Sequence, residues 1–210
     1  MRSTYVLGEN IYINLTNRCT CNCDFCIRHT TDHVADSGSL WIAPGQEPTV
    51  REVVDEVLSY DLRAYSEIVF CGFGEPTCRL DDLLAICKAL KRKRVRNPIR
   101  VNTNGHASYI AKADVSSRFK RMVDTVSVSL NAPDPARYVS RCHPEGGAAA
   151  FYAMLDFAAS VRYYVPHVVF TIVDTMDPEE QTACRELAEA MEIPIRVRHY
   201  TENYDEPKGE

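Results

Sequence analysis

Three cysteines near the N-terminus carry the clearest chemistry in this sequence. Cys19, Cys23 and Cys26 are spaced CxxxCxxC and follow a short run in which apolar residues alternate with polar ones. Thiolates this close together, in a chain whose first residues show no secretory signal, indicate a metal site rather than a disulfide. A structural zinc site closes with four ligands, and a [4Fe–4S] cluster normally takes four thiolates. Three cysteines would therefore leave one iron open to another ligand.

The remaining cysteines leave alternatives open. Cys21 lies inside the same segment and could complete a four-thiolate zinc site. We favour Cys21 as a bystander, because a C-x-C step suits cluster geometry poorly. The other cysteines stand singly, as buried apolar thiols often do, although Cys78 follows a Gly-Glu-Pro turn and Cys142 is predicted in a loop.

The composition narrows the class of protein. The chain has 210 residues and a formal charge of −5, so neither nucleic acid nor an anionic membrane surface is an expected partner. No stretch is long and apolar enough to span a bilayer, and nine cysteines without a secretory signal favour the cytoplasm. We expect one domain over residues 1–200 and a polar C-terminal tail over residues 201–210.

Apolar, β-branched runs alternate with helical patterns along the chain. Strands are predicted at residues 10–15, 67–71, 99–103, 125–130, 168–173 and 195–199. Helices are predicted at residues 50–58, 80–94, 108–120, 148–162 and 178–191. Thr49 and Asp177 are expected to cap two of the helices. Six βα units are too few for a complete TIM barrel, so the pattern predicts an α/β fold: a partial (β/α)6 TIM-like barrel with a parallel sheet and outer helices.

The two faces of the predicted strands differ in polarity. In residues 126–131 the apolar side chains share one face, while Ser127, Ser129 and Asn131 share the other. Arg196 and Arg198 likewise oppose apolar neighbours on the last strand. The sequence therefore predicts a polar interior that holds a ligand. Two inward guanidinium groups need anions, which could be a ligand carboxylate or acidic residues of the chain itself.

The cysteine motif resembles that of the radical S-adenosylmethionine (SAM) superfamily. It follows the first predicted strand, and an aromatic residue, Phe25, precedes the last cysteine. The resemblance implies that Cys19, Cys23 and Cys26 hold a [4Fe–4S] cluster beside Phe25, and that SAM chelates the fourth iron. It also implies reductive cleavage of SAM to a 5′-deoxyadenosyl radical, with a flavodoxin- or ferredoxin-type electron donor.

A second segment is similar to the GGEP element of that superfamily, whose backbone receives the amino group of SAM. It consists of Gly72, Phe73, Gly74, Glu75 and Pro76. Glycine allows the backbone to approach a ligand closely. Phe73 stands where the first glycine is usual, so Gly74, Glu75 and Pro76 carry most of the resemblance, with Gly72 as a neighbour.

Polar residues near the ends of later strands complete the implied SAM site. The resemblance points to Thr103, Asn104, Ser129 and Asn131, and an inward Arg198 could bind a carboxylate. An Asn-Gly turn and serines bonded to backbone are the structural alternatives. We name no protein acid or base, because in such enzymes the cofactor performs the hydrogen abstraction.

Phrases spread over nearly the whole chain are similar to one subgroup, the TatD-associated radical SAM proteins. They are Leu15-Thr-Asn-Arg-Cys19, Phe25-Cys-Ile-Arg28, Leu40-Trp-Ile42, Glu47-Pro-Thr49, Val101-Asn-Thr-Asn-Gly105, Ser129-Leu-Asn-Ala-Pro133 and Arg196-Val-Arg198. The subgroup implies a TatD-type metal-dependent hydrolase as a possible partner and leaves the substrate unidentified.

Other functions stay open at this point. The chain could be a glycyl-radical-enzyme activase or a 7-carboxy-7-deazaguanine synthase, which are similarly small proteins. The synthase would need a divalent ion, for which Thr77 and Asp134 are conceivable ligands. A zinc-stabilised binding partner of a hydrolase would have no turnover at all. The long segment of residues 30–48, which contains Trp41, is expected to cover the cluster as a lid or to pack outside the barrel.

Overall fold

A seven-stranded sheet forms the centre of the protein in a computed structural model that describes residues 3–200. The predicted polar tail, residues 201–210, lies outside the described residues. The strands are β1 (Thr4–Leu7), β2 (Asn10–Ile13), β3 (Glu67–Phe70), β4 (Ile99–Thr103), β5 (Thr125–Ser129), β6 (His167–Val173) and β7 (Ile195–Arg198). They are hydrogen-bonded in sequence order, and β1 and β7 form the two edges. The sheet is therefore an open partial barrel, as the sequence predicts.

Strands β2 to β7 are all parallel, which confirms the six predicted strands. The sequence-based prediction missed β1, which pairs antiparallel with β2 so that Thr4 opposes Ile13. A tight turn joins the two strands, and Gly8 in that turn has φ +56°. Glycine accepts this left-handed conformation at little cost, which permits so short a hairpin.

Helices follow most of the parallel strands and cover one face of the sheet. They are α1 (Val50–Leu58), α2 (Leu80–Arg92), α3 (Ala107–Ala111), α4 (Pro135–Cys142), α5 (Ala148–Val161) and α6 (Pro178–Ala190). Thr49 caps α1 through a capping box with Glu52. Asp177 holds the N-cap position of α6, but its side chain makes no capping hydrogen bond there.

The prediction of one helix over residues 108–120 is wrong, because the observed helix covers only Ala107–Ala111. Helix α3 ends after a single turn because Lys112 adopts φ +53°, outside the helical region. The Asp114 carboxylate then accepts a hydrogen bond of 2.9 Å from the Ser116 N–H and precedes a 3-10 turn at Ser116–Phe119. This local side-chain contact offers the backbone an alternative to continuing the helix.

Helix α4 was not predicted, and Cys142 lies at its end rather than in a loop. Asp134 accepts a hydrogen bond of 2.9 Å from the Arg137 N–H, and Pro135 occupies the first turn. An N-cap aspartate followed by proline is a regular helix start, so the signal was present in the sequence. The helix is only 8 residues long, and its apolar positions are few.

The strand faces have the polarity that the sequence predicts. Val101, Val126, Val128 and Phe170 are fully buried against the helices. Ser127 and its polar neighbours on the opposite face line a cavity. Apolar burial thus fixes which face carries the helices and leaves the other face for polar groups. Among the described residues, no helix is long and apolar enough to cross a bilayer.

Candidate active site

A cavity of about 350 Å³ lies on the polar face of the sheet and includes residues that follow β3, β4 and β5. The carboxyl ends of parallel strands are where α/β proteins usually bind ligands. Every residue that the sequence predicts for the cluster or for SAM lines this cavity. They are Cys19, Cys23, Phe25, Cys26, Gly72, Gly74, Glu75, Pro76, Thr103, Asn104, Ser129, Asn131 and Arg198.

Helix α4 holds the loop that carries the cysteines. The Asn22 N–H donates to the Cys142 carbonyl at 3.0 Å, and the Asp24 N–H donates to the Arg141 carbonyl at 3.1 Å. The last carbonyls of a helix lack partners inside the helix, so the loop supplies them. Within the loop, the Cys26 N–H donates to the Cys23 carbonyl at 3.0 Å and begins a turn. Backbone hydrogen bonds therefore fix the loop against the end of α4.

The three thiols are partly buried, and their surroundings favour the protonated form. A hydrogen bond with the Cys21 thiol, together with burial, raises the pKa of Cys19. A hydrogen bond with Cys142, together with burial, raises the pKa of Cys23. Burial also raises the pKa of Cys26. Because iron binds thiolates, loading the site must release protons.

Cys21 lies between the other cysteines, whose cavity it also lines, and the core behind the cysteine loop. Its side chain is buried, and its sulfur lies 3.8 Å from the Tyr138 hydroxyl and 3.9 Å from His106 Nδ1. Among residues 3–200, no three or more His, Cys, Asp or Glu side chains converge as they would around one metal ion.

Glu75 links three parts of the cavity wall. Its N–H donates to the Arg18 carbonyl at 2.7 Å, next to the first cysteine. Its carboxylate accepts hydrogen bonds from the Thr103 hydroxyl at 2.7 Å and from the Asn104 N–H at 2.7 Å. Thr77 donates to the same carboxylate from its N–H at 2.9 Å and its hydroxyl at 2.6 Å. Burial raises the pKa of Glu75, and these hydrogen bonds oppose the shift.

Gly74 is required because two backbone segments meet there. A Cβ at this position would lie 2.2 Å from the Thr16 carbonyl oxygen and 2.6 Å from that of Arg18. At Gly72 a Cβ would lie 2.0 Å from Asn14 Oδ1. The glycines that the sequence assigns to ligand binding therefore also let the segment after β3 pack against the cysteine loop.

Asn104 reaches from the end of β4 to the first cysteine. Its side-chain amide donates to the Thr20 hydroxyl at 2.9 Å and lies 3.8 Å from the Cys19 sulfur. An amide donor beside a ligating sulfur suits a reduced iron–sulfur cluster, since hydrogen bonds to the sulfurs tune its potential. Asn104 thus fits a position next to the cluster.

Two asparagine side-chain oxygens in the cavity wall accept no hydrogen bond from the described residues. Asn131 Oδ1 and Asn102 Oδ1 are buried and accept no hydrogen bond from the described residues. Asn131 has φ +58°, a left-handed conformation at the end of β5. Buried acceptors without donors are rare, so a ligand with hydroxyl or amino groups fits this wall. SAM carries such groups on its ribose, adenine and methionine parts.

A buried network behind the cysteine loop escaped the sequence-based prediction. His106 Nδ1 lies 2.8 Å from the Thr20 hydroxyl, and His106 Nε2 lies 3.1 Å from the Tyr138 hydroxyl. Burial lowers the pKa of His106 from 6.5 to about 4, so the imidazole is neutral. Thr20 and His106 are 86 positions apart, and no local motif joins them.

The segment of residues 30–48 forms one wall of the cavity. Val34 and Leu40 line it, and the Asn14 side chain donates to the Leu40 carbonyl at 2.6 Å. Trp41 packs edge-on against Phe73 with the ring centres 5.1 Å apart, while 42% of Trp41 is exposed. The segment thus borders the cavity at the β1 and β2 side, as the lid alternative requires.

An open parallel barrel with three cysteines in the loop after its first parallel strand defines a class of iron–sulfur enzyme. The sequence profile of the radical SAM superfamily matches residues 13–187, so the chain belongs to that superfamily. Enzymes of that superfamily use a [4Fe–4S] cluster and SAM. No curated protein matches the chain significantly.

Solved structures agree with this fold. SuiB of Streptococcus suis bound to S-adenosylmethionine is 15% identical and superposes with a TM-score of 0.64, covering 97% of this chain and 44% of SuiB. HydG, a maturase of the [FeFe]-hydrogenase, is 16% identical and superposes with a TM-score of 0.63. The match covers 95% of this chain and 44% of HydG. A radical SAM methyltransferase from Sphaerobacter thermophilus is 18% identical and superposes with a TM-score of 0.55. The match covers 93% of this chain and 68% of the methyltransferase. The chain spans less than half the length of SuiB and HydG.

Proposed function

We propose that this enzyme uses Cys19, Cys23 and Cys26 to hold a cluster that cleaves SAM and initiates hydrogen abstraction from a substrate in the cavity. The observation that supports it best is the convergence of these cysteines with the ends of β3, β4 and β5 on one cavity. When bound, the cluster and SAM supply a 5′-deoxyadenosyl radical. The protein supplies binding, orientation and the electrostatic surroundings of the cofactors.

The roles of individual residues follow from their places in the wall. Gly74 and Pro76 present backbone beside the cysteine loop, and Glu75 braces them. Asn104 is placed to donate near the Cys19 sulfur. Ser129, Asn131 and Arg198 line the cavity farther round the sheet, where they can orient the rest of SAM or the substrate. Phe25 and Thr103 complete the wall on the cluster side.

The test is production of 5′-deoxyadenosine. The 210-residue chain is reconstituted with iron and sulfide without oxygen, reduced with dithionite and given SAM. We expect release of 5′-deoxyadenosine and methionine, and none from a Cys26→Ala variant treated identically. An intact cluster that releases no 5′-deoxyadenosine contradicts the proposal, and zinc in place of iron favours the non-catalytic binding module.

The electron donor and a partner enzyme are also proposals. We infer a flavodoxin- or ferredoxin-type donor, because the reaction consumes an electron that the chain cannot generate. Reduced flavodoxin should replace dithionite in the same assay. The phrases shared with TatD-associated proteins support a TatD-type hydrolase as partner, and co-elution of the two purified proteins would test it.

The alternatives that need a divalent ion have less support. The Thr77 hydroxyl already donates to Glu75 at 2.6 Å. The Asp134 carboxylate caps α4 and pairs with Arg137 at 2.5 Å. Both side chains are engaged by neighbouring residues, so no observation favours a synthase of that kind.

A further inference from the structure

Three arginines line the cavity and form what we call the arginine cluster: Arg100, Arg196 and Arg198. Arg100 lies early in β4, whereas Arg196 and Arg198 lie on β7. Partial burial lowers the pKa of Arg196, and the positive charges of Arg100 and Arg198 lower it further. The three guanidinium groups are therefore near neighbours, although their strands are at separate positions in the sheet.

The arginine cluster is only partly neutralised by the chain. Arg100 pairs with Glu67 at 3.0 Å. Within residues 3–200, no carboxylate lies within salt-bridge distance of Arg196 or Arg198. The only carboxylate among the described residues that line the cavity is Glu75, which is engaged by Thr77, Thr103 and Asn104. Gathering three positive charges beside the single carboxylate of Glu67 is unfavourable, so the arginine cluster is suited to an anion.

Buried polar atoms beside these arginines also point to an anionic ligand. Arg100 Nε, Arg198 Nε and Asn102 Oδ1 are buried and have no hydrogen-bond partner among the described residues. A guanidinium presents its N–H groups as a planar fork that matches two oxygens of a carboxylate or phosphate. An oxyanion in this place would satisfy Nε donors that otherwise remain unsatisfied at a cost.

Arg100 lies well away from the cysteine loop, toward the start of β4. Asn104, which lies 3.8 Å from the Cys19 sulfur, follows the last residue of β4. Arg100 is four residues earlier, which corresponds to about 13 Å along an extended strand. A molecule bound to Arg100 would extend from the arginine cluster toward the cysteine loop. The carbon that loses its hydrogen must lie near that loop.

We propose that the arginine cluster binds an oxyanion group of the substrate, so that the substrate is an organic acid or a phosphate ester held by its charged end. The role of this anion as part of a substrate rests on the proposed function. The binding of an anion by the three arginines does not depend on it. It assigns Arg100, Arg196 and Arg198 to substrate selection.

Calorimetric titration tests this assignment. Inorganic phosphate, malonate and chloride are each titrated into the 210-residue chain at constant ionic strength, before and after anaerobic reconstitution. We expect phosphate or malonate to bind at least about tenfold more tightly than chloride, as charge-assisted pairs would require. The tighter of the two identifies a phosphate ester or a carboxylate as the source. Equal binding of all three anions overturns the proposal.

Variants locate the bound anion. Arg196→Gln should weaken binding of the preferred anion about tenfold, and Arg196→Lys should restore part of the loss. Arg185→Gln, a change at an exposed arginine on α6, is the matched control and should bind as the unchanged chain does. Arg196 is exposed enough that its replacement should not unfold the protein, which circular dichroism checks. Unchanged affinity in Arg196→Gln places the anion elsewhere and overturns the proposal.

Competition with SAM separates the substrate from the cofactor. If the arginine cluster binds the substrate, SAM should leave the affinity for the anion within about twofold in the reconstituted protein. Displacement of the anion by SAM would assign these arginines to the SAM carboxylate and overturn the proposal. Because binding is measured without turnover, a failure here differs from a failure to form 5′-deoxyadenosine, which concerns only the proposed function.

Discussion

The Asn104 N–H donates to Glu75 Oε2 at 2.7 Å, which joins the end of β4 to the turn that follows β3. The Glu75 N–H also bonds the Arg18 carbonyl at 2.7 Å, beside the first cysteine. One residue therefore ties together the cysteine loop and two strand ends. A carboxylate with several donors can hold such a junction, since each of its oxygens accepts more than one hydrogen bond.

Replacing Glu75 by glutamine should weaken this junction. The amide nitrogen would face either the Asn104 N–H or the Thr77 N–H, and that buried donor would lose its acceptor. We expect the free energy of unfolding to fall by about 1–3 kcal/mol and the iron content after reconstitution to fall as well. Urea unfolding and iron analysis measure the two effects. Glu189→Gln, at an exposed position on α6, is the control, and equal behaviour of both variants would contradict the role of Glu75.

Gly74→Ala should displace the cysteine loop. The new Cβ would lie 2.2 Å from the Thr16 carbonyl oxygen, and both groups belong to backbone that cannot rotate away. We expect a loss of about 2 kcal/mol or more and defective cluster assembly. In the control, Gly146→Ala, the three atoms nearest the Cβ all belong to the Tyr109 side chain, which can rotate away, unlike backbone. A stable Gly74→Ala protein with full cluster content would show that the close approach is unimportant.

His106 should make the stability of the metal-free chain depend on pH. Its pKa is about 4 in the folded protein and 6.5 in the unfolded chain. The unfolded chain therefore binds the proton first on acidification. The stability from His106 is complete above pH 6.5 and is lost as the pH falls toward 4.

The comparison of the unchanged chain with His106→Phe isolates this effect. The difference in unfolding free energy between them should change by about 3 kcal/mol at most between pH 7 and pH 4. Urea unfolding at several pH values gives that difference, and NMR of the imidazole gives the folded-state pKa directly. Titration of the imidazole near pH 6.5 would contradict the prediction.

The four cysteines of the loop should respond differently to substitution. Cys21→Ala should keep about four irons per chain after reconstitution, because its thiol contacts Tyr138 and His106 in the core. Its buried position should cost about 1–2 kcal/mol of stability. Cys23→Ala should lose the iron–sulfur absorbance. Loss of iron in Cys21→Ala would instead identify Cys21 as a ligand.

Most of the parallel sheet could be predicted, because strand polarity has a period of two and needs no long-range information. Strand β1 could not, since a short edge strand is defined by its partner, here β2. The helix predicted over residues 108–120 failed where the Asp114 side chain competes with the helical backbone. Helix α4 was missed although Asp134 and Pro135 mark its start.

The sequence by itself determined the cysteine set, the superfamily and the polar face of the sheet. These depend on residue type and spacing within a few positions of one another. Only the tertiary structure decided that His106 and Tyr138 lie behind the cysteine loop, that Arg100 pairs with Glu67, and that Arg198 keeps an unsatisfied donor. Such contacts join residues far apart in the chain, and they are set by how the strands and helices pack, which no local pattern records.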